Sequence, residues 1–156
     1  MIDESFRAAQ MHWSGTLVWS KDTFVLGRSN YHRRFEPIWY GWPKRSKSSF
    51  CGGRDQDDVW EIPRPKVSKE HPTMKPVDLV LRAIRNSSAQ GGSVFEPFNG
   101  SGTTLLAAEL TGRVARCVEI DPRFVAVCLE RATQMGLKAE LAGNGGQAKK
   151  NITRVA

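Results

Sequence analysis

Residues 93–134 alternate between short β-rich runs and helix-patterned runs, and this alternation constrains the fold more than any other feature of the chain. Gly91-Gly92 lead into Ser93-Val94-Phe95-Glu96, a strand candidate that stops at Pro97. After Phe98-Asn99-Gly100-Ser101-Gly102 a helix is predicted over 103–110, closed by Gly112. A second strand is predicted over 113–120, and Pro122 opens a helix that runs to 134 and stops at Gly136. Strand, glycine turn, helix, strand, helix is a βαβα unit whose parallel strands require a right-handed crossover. A further helix is predicted over 77–86, with Pro76 pre-set for its first turn and Val80, Leu81 and Ile84 on one face. The class is α/β.

The N-terminal half reads differently. A short helix is predicted over 3–11 with Phe6, Ala9 and Met11 inward, broken at Gly15. Strands are predicted over 16–19, over 23–27 after a turn at Asp22, and over 35–40 in spite of Pro37. From 41 to 70 glycine, proline, serine and charge dominate, so a long loop is expected, interrupted near Val59-Trp60-Glu61-Ile62. The 156 residues are about one domain's worth. Its expected division is 1–40 (N-terminal strands), 41–70 (loop), 71–136 (the βαβα half) and 137–156 (tail).

Three cysteines, Cys51, Cys117 and Cys128, make an odd number without any Cys-x-x-Cys spacing, so neither a disulfide framework nor a zinc ribbon is written here. A reducing, cytoplasmic setting fits, with Cys117 and Cys128 expected in the interior. His12 and His32 have no metal-ligand spacing around them, and no metal site is expected. No apolar run approaches the ~20 residues of a membrane span, and Met1-Ile2-Asp3-Glu4 shows no basic stretch ahead of an apolar one, so neither insertion nor export is expected.

A strand that ends in a glycine turn and opens a helix presents free backbone N–H groups at the carboxyl edge of a sheet. Gly100 and Gly102 allow close approach of a ligand, and Ser101, Thr103 and Thr104 add hydroxyls. Glu119, at the end of the next predicted strand, is placed to accept hydrogen bonds from both ribose hydroxyls of a nucleoside-containing cofactor. A dinucleotide fingerprint wants a third glycine where Leu105 stands, and a phosphate P-loop needs Gly-Lys-Ser/Thr, which is absent. A nicotinamide-binding domain is therefore the weaker alternative, and a plain connecting turn is the alternative to any ligand.

The net charge of +7 is concentrated. Arg28, Arg33, Arg34, Lys44, Arg45, Lys47 and Arg54 face a single acid, Glu36, in a segment that also holds Tyr31, Phe35, Trp39, Tyr40, Trp42 and Phe50. Such a mixture suits phosphate contacts with base stacking, and it equally suits a packed aromatic core with a solvated basic rim. The nucleic-acid candidates are Arg28, Tyr31, Arg33, Arg34, Lys44, Arg45, Lys47 and Arg54.

The stretch Phe95-Glu96-Pro97-Phe98-Asn99-Gly100-Ser101-Gly102-Thr103-Thr104 resembles the Asp-Pro-Phe-x-Gly-Ser-Gly-Thr loop of DNA amino-methyltransferases. His71-Pro72-Thr73-Met74-Lys75-Pro76 resembles that family's His-Pro-Thr-x-Lys-Pro box, which precedes the cofactor loop in the permuted, β-type order. Val118-Glu119-Ile120-Asp121 resembles its ribose-binding acidic step, and segments from Val18 to Trp42 resemble the strands before the box. The resemblance spans roughly 3–136. It implies a Rossmann-like fold with a mostly parallel sheet and an antiparallel element from the N-terminal strands. It also implies S-adenosyl-L-methionine as cofactor, held by His71, Pro72, Thr73, Lys75, Phe95, Glu96, Pro97, Phe98, Asn99, Gly100, Ser101, Gly102, Thr103, Thr104, Glu119 and Asp121. Double-stranded DNA is the implied substrate, methylated at adenine N6 or cytosine N4, with 41–70 in the place of target recognition.

Two departures matter. Glu96 stands where the family has Asp. The family's Asp/Asn/Ser-Pro-Pro-Tyr/Trp tetrapeptide accepts the amine's hydrogens and stacks the base, and this chain has no adjacent prolines. None of the cysteines follows a proline, as a cytosine-C5 nucleophile usually does. The expectation is a partial methyltransferase domain, weak or inactive alone, with no catalytic residue of its own and an exposed apolar sheet edge. It would be completed by another chain or by an upstream segment; a non-catalytic DNA- and cofactor-binding remnant is the alternative.

Overall fold

The computed structural model describes residues 2–65 and 74–138. Helix α1 (Ile2–Ala8) is braced by an Asp3–Arg7 pair one turn apart and ends where Gln10 takes a positive φ of 51°. It is shorter than predicted, because Met11 already belongs to strand β1 (Met11–Val25). Gly15 therefore breaks no helix. It sits at a register shift in β1, and the turn expected at Asp22 is a second irregularity between Ser20 and Val25. There the Asp22 carboxylate accepts the Arg64 amide at 3.2 Å.

Strand β2 (Arg33–Pro43) runs antiparallel to β1 and β3 (Val59–Glu61) parallel to it, in the order β2-β1-β3. Pro37 is tolerated inside β2 for a geometric reason. Its partner Val18 donates its amide to Asp58 on the β3 side, so Val18 and Pro37 form a non-hydrogen-bonded pair. The missing proline N–H consequently points to the open edge.

On one face of this sheet Trp19 and Trp60 bury themselves against Leu79, with Leu17, Ile38, Ile62 and Ala83 around them. Both indoles find acceptors, Trp19 the Ile62 carbonyl at 2.7 Å and Trp60 the Asp57 carbonyl at 3.0 Å. Helix α2 (Val77–Ser87) carries Leu79 into this cluster and Ile84 into a second one with Ala107 and Ala108. Val77, Val80 and Leu81 pack with Ile84, so the helix has a second apolar face beyond the single one predicted.

The second half keeps its predicted order: β4 (Ser93–Glu96), α3 (Thr103–Leu110), β5 (Val114–Cys117) and α4 (Pro122–Gln134). β4 and β5 pair in parallel. β5 ends earlier than the predicted 120, although the Val118 amide still reaches the Glu96 carbonyl at 2.8 Å. Among the described residues the strands form two small sheets rather than one mostly parallel sheet, and the longest ladder is the antiparallel β1–β2 pair. The reason is spatial: a groove of about 380 Å³, lined by Ile38, Trp60, Leu79, Val94, Phe95 and Thr104, separates β4 from the first sheet.

The segment expected as a long loop is more ordered than its composition suggests. β2 absorbs its first residues, 66–70 lie outside the described residues, and residues 51–57 are tied to α2: the Cys51 amide donates to the Asn86 carbonyl, and Arg82 and Asn86 both donate to Gln56. These are side-chain and single-residue bonds that leave no periodic trace. Trp60 holds the sheet to α2, so Trp60→Ala is expected to cost about 3–5 kcal/mol in urea unfolding. Phe95→Ala, at a position 68% exposed, should stay within about 0.5 kcal/mol.

Candidate functional site

The chain leaves β4 at Glu96 and bends through residues 97–102 before α3. Gly100 and Gly102 adopt positive φ of 54° and 84°, the left-handed region that glycine enters without a Cβ penalty. Gly102 is also the N-cap of α3. A Cβ there would lie 2.4 Å from the Cys128 Sγ of α4, so the bend can pass only as glycine.

Four side chains set the shape of the bend. Glu96 turns back on its own loop, accepting the Phe98 amide at 2.9 Å and the Thr104 hydroxyl at 3.0 Å. From β5's end, Glu119 accepts the Gly100 amide at 2.7 Å with one oxygen and the Asp121 amide at 2.9 Å with the other. Hydrogen bonds from the Asp121 and Gly100 amides hold its carboxyl below the ordinary range. From behind, Arg131 of α4 donates to the carbonyl and hydroxyl of Ser101 at 2.7 and 3.1 Å. Asn99 is tied by its Nδ2 to Cys128 Sγ at 3.2 Å, while its Oδ1 is buried without a partner among the described residues.

Of the predicted cofactor residues, the structure brings Glu96 to Thr104 together with Glu119. Phe98 stands 86% exposed beside the bend, as does Ile120, 97% exposed, beside Glu119. Asp121 is engaged elsewhere: it accepts the Arg123 amide and guanidinium, capping α4. The guanidinium bond in particular brings its carboxyl to about 2. Lys75 meets the bend through its backbone carbonyl, which accepts the Thr103 hydroxyl at 3.5 Å. His71, Pro72 and Thr73 lie outside the described residues. Arg131 and Cys128 were not legible as site residues, since an arginine and a cysteine on a helix face carry no distinguishing spacing. Cys117 is half-buried, and burial first, with Cys128 and Glu96 nearby, raises its thiol to about 11. That leaves it protonated and unreactive near neutrality.

The basic strip is not one surface. Arg28, Tyr31 and Arg33 line a cleft of about 880 Å³ at the end of the β1–β2 hairpin where residues 26–32 connect the two strands, joined by Lys21, Arg64 and Lys75. Arg34 instead donates to the Lys21 carbonyl at 2.9 Å. Lys44, Arg45 and Lys47 follow the far end of β2, eleven strand residues away, or about 30–36 Å at the rise of an extended chain. Arg54 is on the loop tied to α2. Sequence adjacency had merged what the length of β2 separates. Glu36, at the cleft, takes Lys21 and Lys75 at 2.6 and 2.8 Å. Partial burial opposes its charge, but the two lysines outweigh it and keep the carboxyl below its ordinary value.

Among the described residues no cluster has the makings of a metal site, and no helix is long and apolar enough to cross a membrane. A family model for DNA methylases of the N6/N4 type matches residues 1–130. The chain belongs to that N6/N4 DNA methylase family. It is 34% identical over 124 residues to the type II methyltransferase M2.DpnII of Streptococcus pneumoniae, covering 77% of this chain and 42% of that protein. It is 33% identical over 84 residues to the type II methyltransferase M2.MboI of Moraxella bovis, covering 51% of this chain and 31% of that one. The chain thus spans less than half the length of these relatives. Its fold matches the crystal structure of an M1.HpyAVI–SAM complex with a TM-score of 0.73 at 21% identity, over 83% of this chain and 66% of that one.

Substitution of Gly102 tests the bend. Gly102→Ala is expected to lose about 2 kcal/mol or more, combining the left-handed backbone with the clash on Cys128. Measured against Cys128→Ala alone, where the clashing sulfur is gone, Gly102→Ala should cost only about 1–2 kcal/mol in denaturant unfolding.

Proposed function

We propose that the bend binds S-adenosyl-L-methionine, that the basic cleft binds double-stranded DNA, and that the chain serves methyl transfer to an exocyclic base amine, adenine N6 or cytosine N4. The observation that carries this reading is the 2.7 Å contact between Glu119 and the Gly100 amide, which sets a ribose-type acceptor against a glycine bend. Each Glu119 oxygen keeps a lone pair for a hydroxyl. Phe98 in the bend and Ile120 next to Glu119 are exposed apolar side chains of the kind that suits a purine ring. Glu96 and Arg131 brace the bend through the Phe98 amide, the Thr104 hydroxyl and the Ser101 carbonyl. The residues proposed to hold the cofactor are Glu96 to Thr104, Lys75 and Glu119, with His71, Pro72 and Thr73 as further candidates and Asp121 kept for the α4 cap. Bound there, the cofactor supplies an electrophilic methyl group on its sulfonium.

The DNA assignment rests on the family and on the cleft. Arg28, Arg33 and Arg64 offer guanidinium groups for phosphates, and Tyr31, 89% exposed, offers a ring for stacking. Lys44, Arg45, Lys47 and Arg54 form separate contacts on the same duplex or remain a solvated rim.

A base amine is a poor nucleophile because its lone pair is delocalised into the ring, so two acceptors must take its hydrogens. The proposal assigns that work to a Pro-Pro-containing segment outside this sequence, in a longer polypeptide or on a second chain. Among the described residues β4 pairs only with β5, and its other edge, beside the groove, is the space proposed for such a segment. The absence of adjacent prolines favours, as a second reading, a chain that binds DNA and cofactor without chemistry of its own.

Transfer of tritium from labelled S-adenosylmethionine to duplex DNA separates the readings. Incorporation is expected with a polypeptide carrying Asp-Pro-Pro-Tyr and little without it, whereas none in either case defeats the enzymatic reading. Gly100→Val should cut cofactor affinity at least about tenfold, since a β-branched residue resists positive φ, while Arg45→Ala leaves it unchanged. DNA affinity should fall with salt at a log–log slope of about −4 to −5, for roughly five phosphate contacts. A flat response removes nucleic acid from the account.

A further inference from the structure

Lys75 belongs to two places at once. Its backbone carbonyl takes the Thr103 hydroxyl in the first turn of α3, and its ammonium reaches Glu36 on β2 at the basic cleft. The other Glu36 oxygen holds Lys21, whose side chain is only 9% exposed. Both ammonium groups stand over the ring of the buried Trp19, at 5.0 and 5.5 Å. One carboxylate thus fixes two lysines from different elements. That is more than a surface ion pair, since a mostly buried ammonium depends on it. Thr103 in turn is reached by the Arg131 guanidinium at 3.5 Å, the same group that grips Ser101. A chain of contacts therefore runs from the bend through Thr103 to the Lys75 backbone, and along the Lys75 side chain to Glu36 and the cleft.

We propose that Glu36 is a positioning residue that couples the two sites, by holding the Lys75 ammonium at the cleft while the Lys75 backbone is held at the bend. The inference rests on the reading that the bend takes the cofactor and the cleft takes DNA. A ligand at the bend orders Thr103 and the backbone of Lys75. With Glu36 charged, the side chain of Lys75 is ordered as well, so DNA meets a cleft whose cation is already placed. The ordering cost is shared between ligands, and each binds more tightly in the presence of the other. A neutral amide at 36 keeps the shape but loosens both lysines, and the two sites then bind independently.

The test is calorimetry of S-adenosylhomocysteine binding with and without a saturating short duplex, on the wild-type chain, Glu36→Gln, Lys75→Met, and the charge-matched control Glu61→Gln. In the wild type and the control, DNA should tighten binding about fivefold or more. In Glu36→Gln and Lys75→Met the ratio should fall to about one, with thermal melts showing that both variants remain folded. Lys75→Met leaves Glu36 paired with Lys21, so it reports even where Glu36→Gln melts early. An unchanged ratio in the folded variants overturns the proposal, as does a wild type that binds both ligands without mutual effect. A wild type that binds neither ligand overturns the site reading itself, and the coupling with it.

Discussion

Helix α2 is the constraint on which the rest of the described structure depends. The two small sheets share no hydrogen-bond ladder among the described residues, and α2 joins them by offering an apolar surface to each. Leu79 enters the tryptophan cluster, and Ile84 enters the alanine cluster under α3. The burial of Trp19, Trp60, Leu79 and Ile84 at the two contacts contributes of the order of 1.5–3 kcal/mol for each side chain removed from water. Everything functional hangs from this arrangement. Lys75 is separated from α2 only by the N-cap Pro76, the bend precedes the helix that packs on it, and the cleft opens on the sheet it holds.

Within that frame the site is built by short-range electrostatics. Carboxylates at 96 and 119 take backbone amides of the bend and its neighbours, and a guanidinium at 131 takes its carbonyl. The bend is thereby fixed by three side chains, while Phe98 within it and Ile120 beside Glu119 in sequence stay exposed. Glu96 in place of an aspartate does not disturb this. Its longer side chain reaches both the Phe98 amide and the Thr104 hydroxyl, closing the loop on itself.

Much of this was legible in the sequence because it is local. β4, α3 and α4 follow from glycine, proline and apolar spacing, and Glu119 meets Gly100 because a βαβ unit brings consecutive strand ends together. What could not be read depends on distant partners. The double face of α2 needs two clusters formed by residues far apart in the chain. The bonds that tie residues 51–57 to α2 come from Gln56, Asp57, Arg82 and Asn86, ordinary polar residues without a pattern. The basic strip is misleading for the opposite reason: neighbours in sequence become ends of a long strand. The gap between the sheets follows from the groove beside β4, which no run of residues announces.

The central proposal is that the bend at residues 97–102 and the first turn of α3, faced by Glu119, form the cofactor cradle of this methylase chain. An amide NMR titration of the full chain with S-adenosyl-L-methionine tests it most directly. The account predicts saturable shifts centred on the amides of Gly100, Ser101, Gly102 and Ile120, with residues 44–47 unmoved. Shifts confined to other surfaces, or none at millimolar cofactor, contradict it.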